Sequence, residues 1–254
     1  MTGVPICLFS AREKGLPPDL RLNALLYVPP ETACHPGPAP GLVVGHGAGS
    51  RAANHADFCL EACRRGFVVL APDLRGHGDS EGCGDGPLEN DVLAAVELLR
   101  HHPAVDPAVI CYRGSSMGGF YGLKASPRAG FAAMVLVCPA GEDVLLAALQ
   151  DDAGAVAGPT RWDSSKMQAY FERQDSRALA ALVDCPVLLV HARPDTQVPL
   201  SHSLLLAGHL RTTTTLLALE SGHHSSAQHD PAVHEYALAW LWRVIAATHG
   251  RARG

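Results

Sequence analysis

Seven short apolar runs, at 22–28, 41–46, 67–71, 108–113, 132–138, 186–192 and 213–219, recur along the chain with helix-like stretches between most of them. Runs such as AAMVLVC and PVLLVHA are continuous rather than alternating. An unbroken run of β-rich residues needs both of its faces buried, which is the condition of a strand in a parallel sheet. The intervening stretches carry helical spacing. Residues 54–65 place Phe58, Ala62 and Arg65 together with Gly66 at the stop, and 90–101 align Val92, Leu93, Val96 and Leu99. Residues 117–125 read as a helix halted by Pro127, and 230–248 as a closing amphipathic helix with Val233, Tyr236, Trp240, Val244 and Ala247 on one stripe. Strands alternating with helices predict a mostly parallel sheet covered on both faces.

The stretch 140–184 breaks this rhythm and is too long for an ordinary connection. Its helix-like pieces, 142–150 and 166–173, predict a small lid. The expected organisation is a single α/β domain over 1–254 with a lid insertion at about 140–184, a loop at 36–41 and a frayed tail at 251–254.

Apolar residues make up 47% of the chain and charged residues 18%, which excludes global disorder. Twenty Lys and Arg against 25 Asp and Glu leave a net charge of −5 without a basic stripe. Neither nucleic acid nor an anionic membrane is an expected partner. No apolar run is long enough to span a bilayer, and residues 1–12 lack the charged and apolar regions of a secretory signal. Eight cysteines without a Cys-x-x-Cys pair read as reduced thiols in a cytoplasmic setting.

Two Gly-x-Ser-x-Gly segments occur. Gly78-Asp79-Ser80-Glu81-Gly82 lies in a glycine-rich stretch with no helix directly behind it. Gly114-Ser115-Ser116-Met117-Gly118 directly follows the run AVICYR and directly precedes a helix-like run. Only the second has the strand–turn–helix context in which a serine hydroxyl is lifted out on a strained turn, so Ser116 is the candidate nucleophile. Neither a complete phosphate loop nor a Gly-x-Gly-x-x-Gly segment is present, which argues against nucleotide binding. His224, His229 and His234 form no convincing metal-ligand pattern.

Five segments, GHGAG at 45–49, DLRGHGDS at 73–80, GSSMGG at 114–119, HARPDTQVP at 191–199 and SGHH at 221–224, together resemble the α/β-hydrolase superfamily over about residues 20–245. The resemblance implies an α/β-hydrolase fold with a mostly parallel eight-stranded sheet. It implies the order nucleophile, acid, histidine, filled by Ser116, Asp195 and His223, with His223 preferred to His224 because it directly follows Gly222. It further implies an oxyanion hole made of the backbone N–H groups of Ala48 and Met117, with Asp73 chiefly structural. The lid resembles that of small carboxylesterases and of cinnamoyl or feruloyl esterases.

Among Phe120, Tyr121, Trp162, Tyr170 and Phe171, only Trp162 is expected near substrate, the others reading as core. The expected activity is hydrolysis of short- or medium-chain or aryl carboxylic esters through an acyl-enzyme, on a small-molecule ester and without metal or organic cofactor. Alternatives are a thioesterase, a dienelactone-type hydrolase or a peptidase on the same scaffold, or a binding protein that has lost turnover.

Overall fold

The computed structural model describes residues 3–10, 20–30, 37–150 and 160–249. Eight strands form one sheet: β1 (Val4–Ser10), β2 (Leu20–Tyr27), β3 (Ala39–Gly45), β4 (Val68–Pro72), β5 (Val105–Ser115), β6 (Ala133–Val137), β7 (Val187–Ala192) and β8 (Thr214–Leu219). Their spatial order is β1-β2-β4-β3-β5-β6-β7-β8. β2 is antiparallel to both of its neighbours, and every pairing from β4 through β8 is parallel. The residues of β3, β4, β6 and β7 are buried throughout, which is why these segments read as unbroken apolar runs.

The helices are α1 (Ala56–Arg64), α2 (Glu89–His101), α3 (Met117–Ala129), α4 (Glu142–Gln150), α5 (Ser164–Phe171), α6 (Ser176–Ala180), α7 (Ser201–His209), α8 (His224–His229) and α9 (Pro231–His249). Two buried apolar clusters lie on opposite faces of the sheet. One joins Val43, Leu70, Tyr112, Leu136 and Leu189 to α2, α3, α5 and α6. The other joins Val44, Val69, Cys111, Val135 and Val190 to α1, α8 and α9. Neighbouring residues of one strand divide between the two clusters, as the two-residue period of a strand requires.

Topology then decides where a site can form. From β3 the chain moves outward to β4 and returns across the sheet to β5, so β3 lies between its two successors. Such a switch point opens a crevice at the carboxyl ends of the strands. Gly45 of β3 is paired with Gly114 of β5, so the turns that leave these strands stand side by side.

Three details depart from the sequence reading. Val4–Ser10 is a strand, paired in antiparallel register from Val4↔Leu26 to Ser10↔Leu20. Pro127 does not stop α3. The helix continues to Ala129 and ends at Gly130 with a left-handed φ of 56°. Proline this close to the end removes only a last-turn hydrogen bond. The lid stretch contains α4, α5 and α6, while 151–159, residue 36 of the expected loop and the tail 251–254 lie outside the described residues; the loop expected at 36–41 ends early, because β3 already begins at Ala39. Among the described residues no helix is long and apolar enough to cross a membrane.

Candidate active site

Ser116 caps α3 directly after β5 with φ 52° and ψ −119°, a backbone region that non-glycine residues occupy only under constraint. The constraint is visible. Ser116 N–H donates to Val137 O (3.0 Å), and Ser116 O accepts from Gly119 N–H (2.9 Å) and Ala140 N–H (3.2 Å). The flanking glycines are required by close approach. A Cβ on Gly114 would lie 2.6 Å from Gly118 O, and one on Gly118 would lie 2.4 Å from Gly45 O. The turn can therefore be this sharp only with glycine on both sides, and it leaves Ser116 partly exposed.

The turn after β3 faces this serine. A Cβ on Gly47 would stand 3.2 Å from Ser116 Cβ. His46 locks the turn from behind. Its Nδ1–H donates to Gly47 O (2.8 Å), and its Nε2 accepts from Leu74 N–H (3.0 Å). This arrangement requires a neutral ring, and burial holds the His46 pKa below the usual histidine range. Ala48 is the next residue, partly exposed, and its N–H meets no acceptor among the described residues. Met117 is the first residue of α3, so its N–H has no intrahelical partner.

Asp195 follows β7 and is buried. Its Oδ1 accepts from Gln197 N–H (2.9 Å) and Val198 N–H (2.9 Å), and its Oδ2 accepts from His224 Nδ1–H (2.7 Å). Burial pushes its carboxyl up. The hydrogen bonds from His224, Val198 N–H and the Cys138 thiol outweigh burial and leave it below the usual aspartate range.

The expectation for His223 is corrected here. The histidine beside Asp195 is His224, buried at the start of α8, whereas His223 is exposed. His223 is the N-cap of α8. Its backbone is extended, its Nδ1 accepts from Ser226 N–H (3.4 Å), and its own N–H donates to Ser226 Oγ (2.7 Å). Capping turns one imidazole along the helix, and the next residue turns inward to the acid.

Two further buried groups surround Asp195 without having been singled out by the sequence reading. His191 of β7 donates through Nε2–H to Val198 O (2.8 Å), while its Nδ1 accepts from Ser203 Oγ (2.8 Å). Cys138, just after β6, has φ 45° and presents its thiol to the Asp195 carboxylate. The donor atoms of Cys138, His191 and Asp195 lie within 4.8 Å of one another. All three are already engaged in hydrogen bonds, so the set is a polar network around the acid. His229 pairs instead with Asp57 (2.9 Å) and His234 with Gln228 O (2.8 Å).

Trp162 is partly exposed and bridges to Gly84. Its ring meets His77 edge-on at 5.5 Å, and His77 in turn lies 4.9 Å from His46. Trp162 is thus two rings removed from the turn that faces Ser116. Phe120, Tyr121, Tyr170 and Phe171 pack on one another inside the core.

The other serine motif is a brace. Ser80 is buried, its Oγ–H donates to Asp73 O (2.5 Å), and its Oγ accepts from Asn23 N–H (2.9 Å). The Asp73 carboxylate accepts from Ala52 N–H, Asn23 Nδ2–H and Asp79 N–H.

Known proteins bear on this geometry. A model of the prolyl oligopeptidase family matches residues 55–248. An uncharacterized peptidase of Bacillus subtilis, YtmA, is 29% identical over 157 residues, covering 60% of this chain and 61% of the relative. The alignment thus spans about three fifths of that relative's length. Among solved structures, Est1E from Butyrivibrio proteoclasticus with ferulic acid bound superposes with a TM-score of 0.70 at 21% identity, over 89% of this chain and 96% of that one. The acylaminoacyl peptidase of Pyrococcus horikoshii superposes with a TM-score of 0.71 at 19% identity, over 96% of this chain and 42% of that one. At these identities the structural likeness shows the α/β-hydrolase fold. The family match runs from α1 to α9 and takes in the stretches that carry Ser116, Asp195 and His224. The chain therefore belongs to the prolyl oligopeptidase family and has the α/β-hydrolase fold.

Proposed function

We propose that the protein hydrolyses carboxylic esters of short- or medium-chain or aryl acids through an acyl-enzyme. The observation that carries this reading is the buried 2.7 Å contact of His224 Nδ1–H with Asp195 Oδ2, on loops at the same sheet edge as the Ser116 turn. A serine hydroxyl is a weak nucleophile near neutral pH and needs a base as it attacks. With Nδ1–H held by Asp195, His224 keeps Nε2 free to take the Ser116 proton. Asp195 then stabilises the resulting imidazolium. The carbonyl oxygen becomes an oxyanion, for which the free N–H groups of Ala48 and Met117 are the fitting donors, each worth about 10²–10³ in rate. His224 next returns the proton to the leaving alcohol, and water repeats the sequence to release the acid. The chemistry runs on these groups alone.

A second reading is cleavage of an amide, which the prolyl oligopeptidase family match favours. The same groups serve, with an amine as the leaving group. Methyl esters and aminoacyl amides sharing one acyl group separate the two readings. The expected result is a kcat/KM for the ester at least about 10²-fold above that for the amide, with a fluorophosphonate labelling Ser116. Faster cleavage of the amide overturns the ester assignment. Absence of both turnover and labelling overturns the hydrolytic mechanism.

A further inference from the structure

Arg113 lies in β5, three residues before Ser116, and is buried with 1% of its surface exposed. Among the described residues no carboxylate comes within 4.0 Å of its guanidinium. Burial lowers its pKa to about 10, so the group stays charged at neutral pH. A buried cation without an ionic partner is expensive to keep, and its hydrogen bonds show what holds it. Nη2–H donates to Gln228 O (2.8 Å), Nη1–H donates to His55 Nδ1 (3.0 Å), and the guanidinium carbon lies 4.8 Å from the centre of the Phe58 ring.

Gln228 is the next-to-last residue of α8, the helix that begins with His224. Its carbonyl is one of the helix-end acceptors that lack an intrahelical donor, at the negative end of the helix dipole. The same carbonyl accepts His234 Nε2–H (2.8 Å), and the Gln228 side chain donates back to His224 O (3.1 Å). His55 completes the clamp as a neutral acceptor, because burial and the nearby guanidinium hold its pKa well below the usual histidine range. The counter-charge to Arg113 is thus the carbonyl end of the helix whose other end carries the base.

We propose that Arg113 is a positioning residue that ties the nucleophile's strand to the histidine's helix, fixing α8 so that His224 stands where it meets both Asp195 and Ser116. This rests on the hydrolase reading above. The geometry gives the role a specific signature. Removing the guanidinium relieves the fold of a costly buried charge but leaves His55 Nδ1 without its donor, so the two effects on stability oppose each other, whereas a catalytic group displaced by about 1 Å loses about 10²-fold in rate. Stability and turnover should therefore separate.

The test compares Arg113→Met and Arg113→Lys with the wild-type enzyme, measuring kcat, KM and Tm on one ester. For Arg113→Met the expected result is a kcat reduced about tenfold or more, a KM within about twofold and a Tm within a few degrees of wild type. Arg113→Lys keeps the charge and can reach Gln228 O but not His55 as well, so it should recover part of the kcat. A folded Arg113→Met with kcat within about twofold of wild type overturns the proposal. So does a kcat loss that follows a fall in Tm and is equal in both variants. If Arg113→Met does not fold, Arg113→Lys becomes the test: a folded protein with reduced kcat and unchanged KM supports the role, and full kcat overturns it. A wild-type enzyme that hydrolyses nothing defeats the hydrolase reading itself. An active wild type with an equally active Arg113→Met defeats only the positioning role.

Discussion

The chain spells Gly-x-Ser-x-Gly twice, and the two copies have opposite fates. In 78–82 the serine is sealed, with its hydroxyl bound between Asp73 O and Asn23 N–H. In 114–118 the serine is partly exposed on a backbone of positive φ, with Gly47 of a neighbouring turn facing it. The glycines differ in the same way. Gly78 has a φ of 47°, and a Cβ on it would lie 2.2 Å from Asp73 Oδ2, so it serves the brace. Gly114 and Gly118 let α3 close onto β3 and β5. A motif of five residues thus states which residues permit a sharp turn. The elements before and after it decide whether the turn presents a nucleophile or closes a loop.

The largest expected contrast follows from this. Ser116→Ala should cost about 10⁶ in kcat, since loss of the nucleophile alone removes most of a triad's contribution. Ser80→Ala should leave kcat within about threefold while lowering stability by about 1–2 kcal/mol, because a buried N–H and a buried carbonyl each lose a partner. Ester turnover and thermal melts of both variants check this. Near-equal losses of activity would break the distinction between the copies.

The adjacent histidines repeat the contrast on a finer scale. His224→Ala removes the group at 2.7 Å from Asp195 and should lower kcat by about 10⁴ or more. His223→Ala removes an exposed helix cap and should cost about 1 kcal/mol of stability with little change in kcat. The reverse ranking would restore the histidine that directly follows Gly222.

How far the molecule is legible in its sequence differs between its parts for physical reasons. Buried parallel strands write themselves as unbroken apolar runs, so β3, β4, β6 and β7 stand out, and the strand–turn–helix around Ser116 needs only neighbours in sequence. β1 was not legible because an antiparallel edge strand that includes Pro5 has no strong period to show. Asp195 was legible only through the resemblance, since Asp73 also follows a strand. The choice of His224 over His223 depends on where α8 begins, and a one-residue change in that start turns a side chain from solvent to core. Arg113 and His191 lie inside runs that read simply as strands. Their partners, Gln228 O and Val198 O, are backbone atoms brought up by distant or turned segments, and no residue type signals a carbonyl.

The last expected effect leaves turnover aside and concerns pH, and it separates the two motif regions again. His77, which directly precedes Gly78, is buried. Its Nδ1–H donates to Arg75 O (3.2 Å), while its Nε2 has no partner among the described residues. Burial, with His46 close by, lowers its pKa to about 3, so the folded protein holds this ring neutral. The unfolded chain takes up a proton near the ordinary histidine pKa of about 6.5. Between those two values the unfolded state binds more protons than the folded state, so stability falls as pH drops through this window. It is full above about 6.5 and levels off below about 3. At pH 5 the loss from His77 alone is about 2 kcal/mol. His77→Phe removes that titration and should reduce the Tm difference between pH 7 and pH 5 by several degrees. Melts of both proteins at the two pH values measure it. An unchanged difference would place the acid sensitivity in the other buried neutral histidines, His46, His55, His191 and His234, whose pKa values burial also lowers, and not in the loop that carries the braced serine.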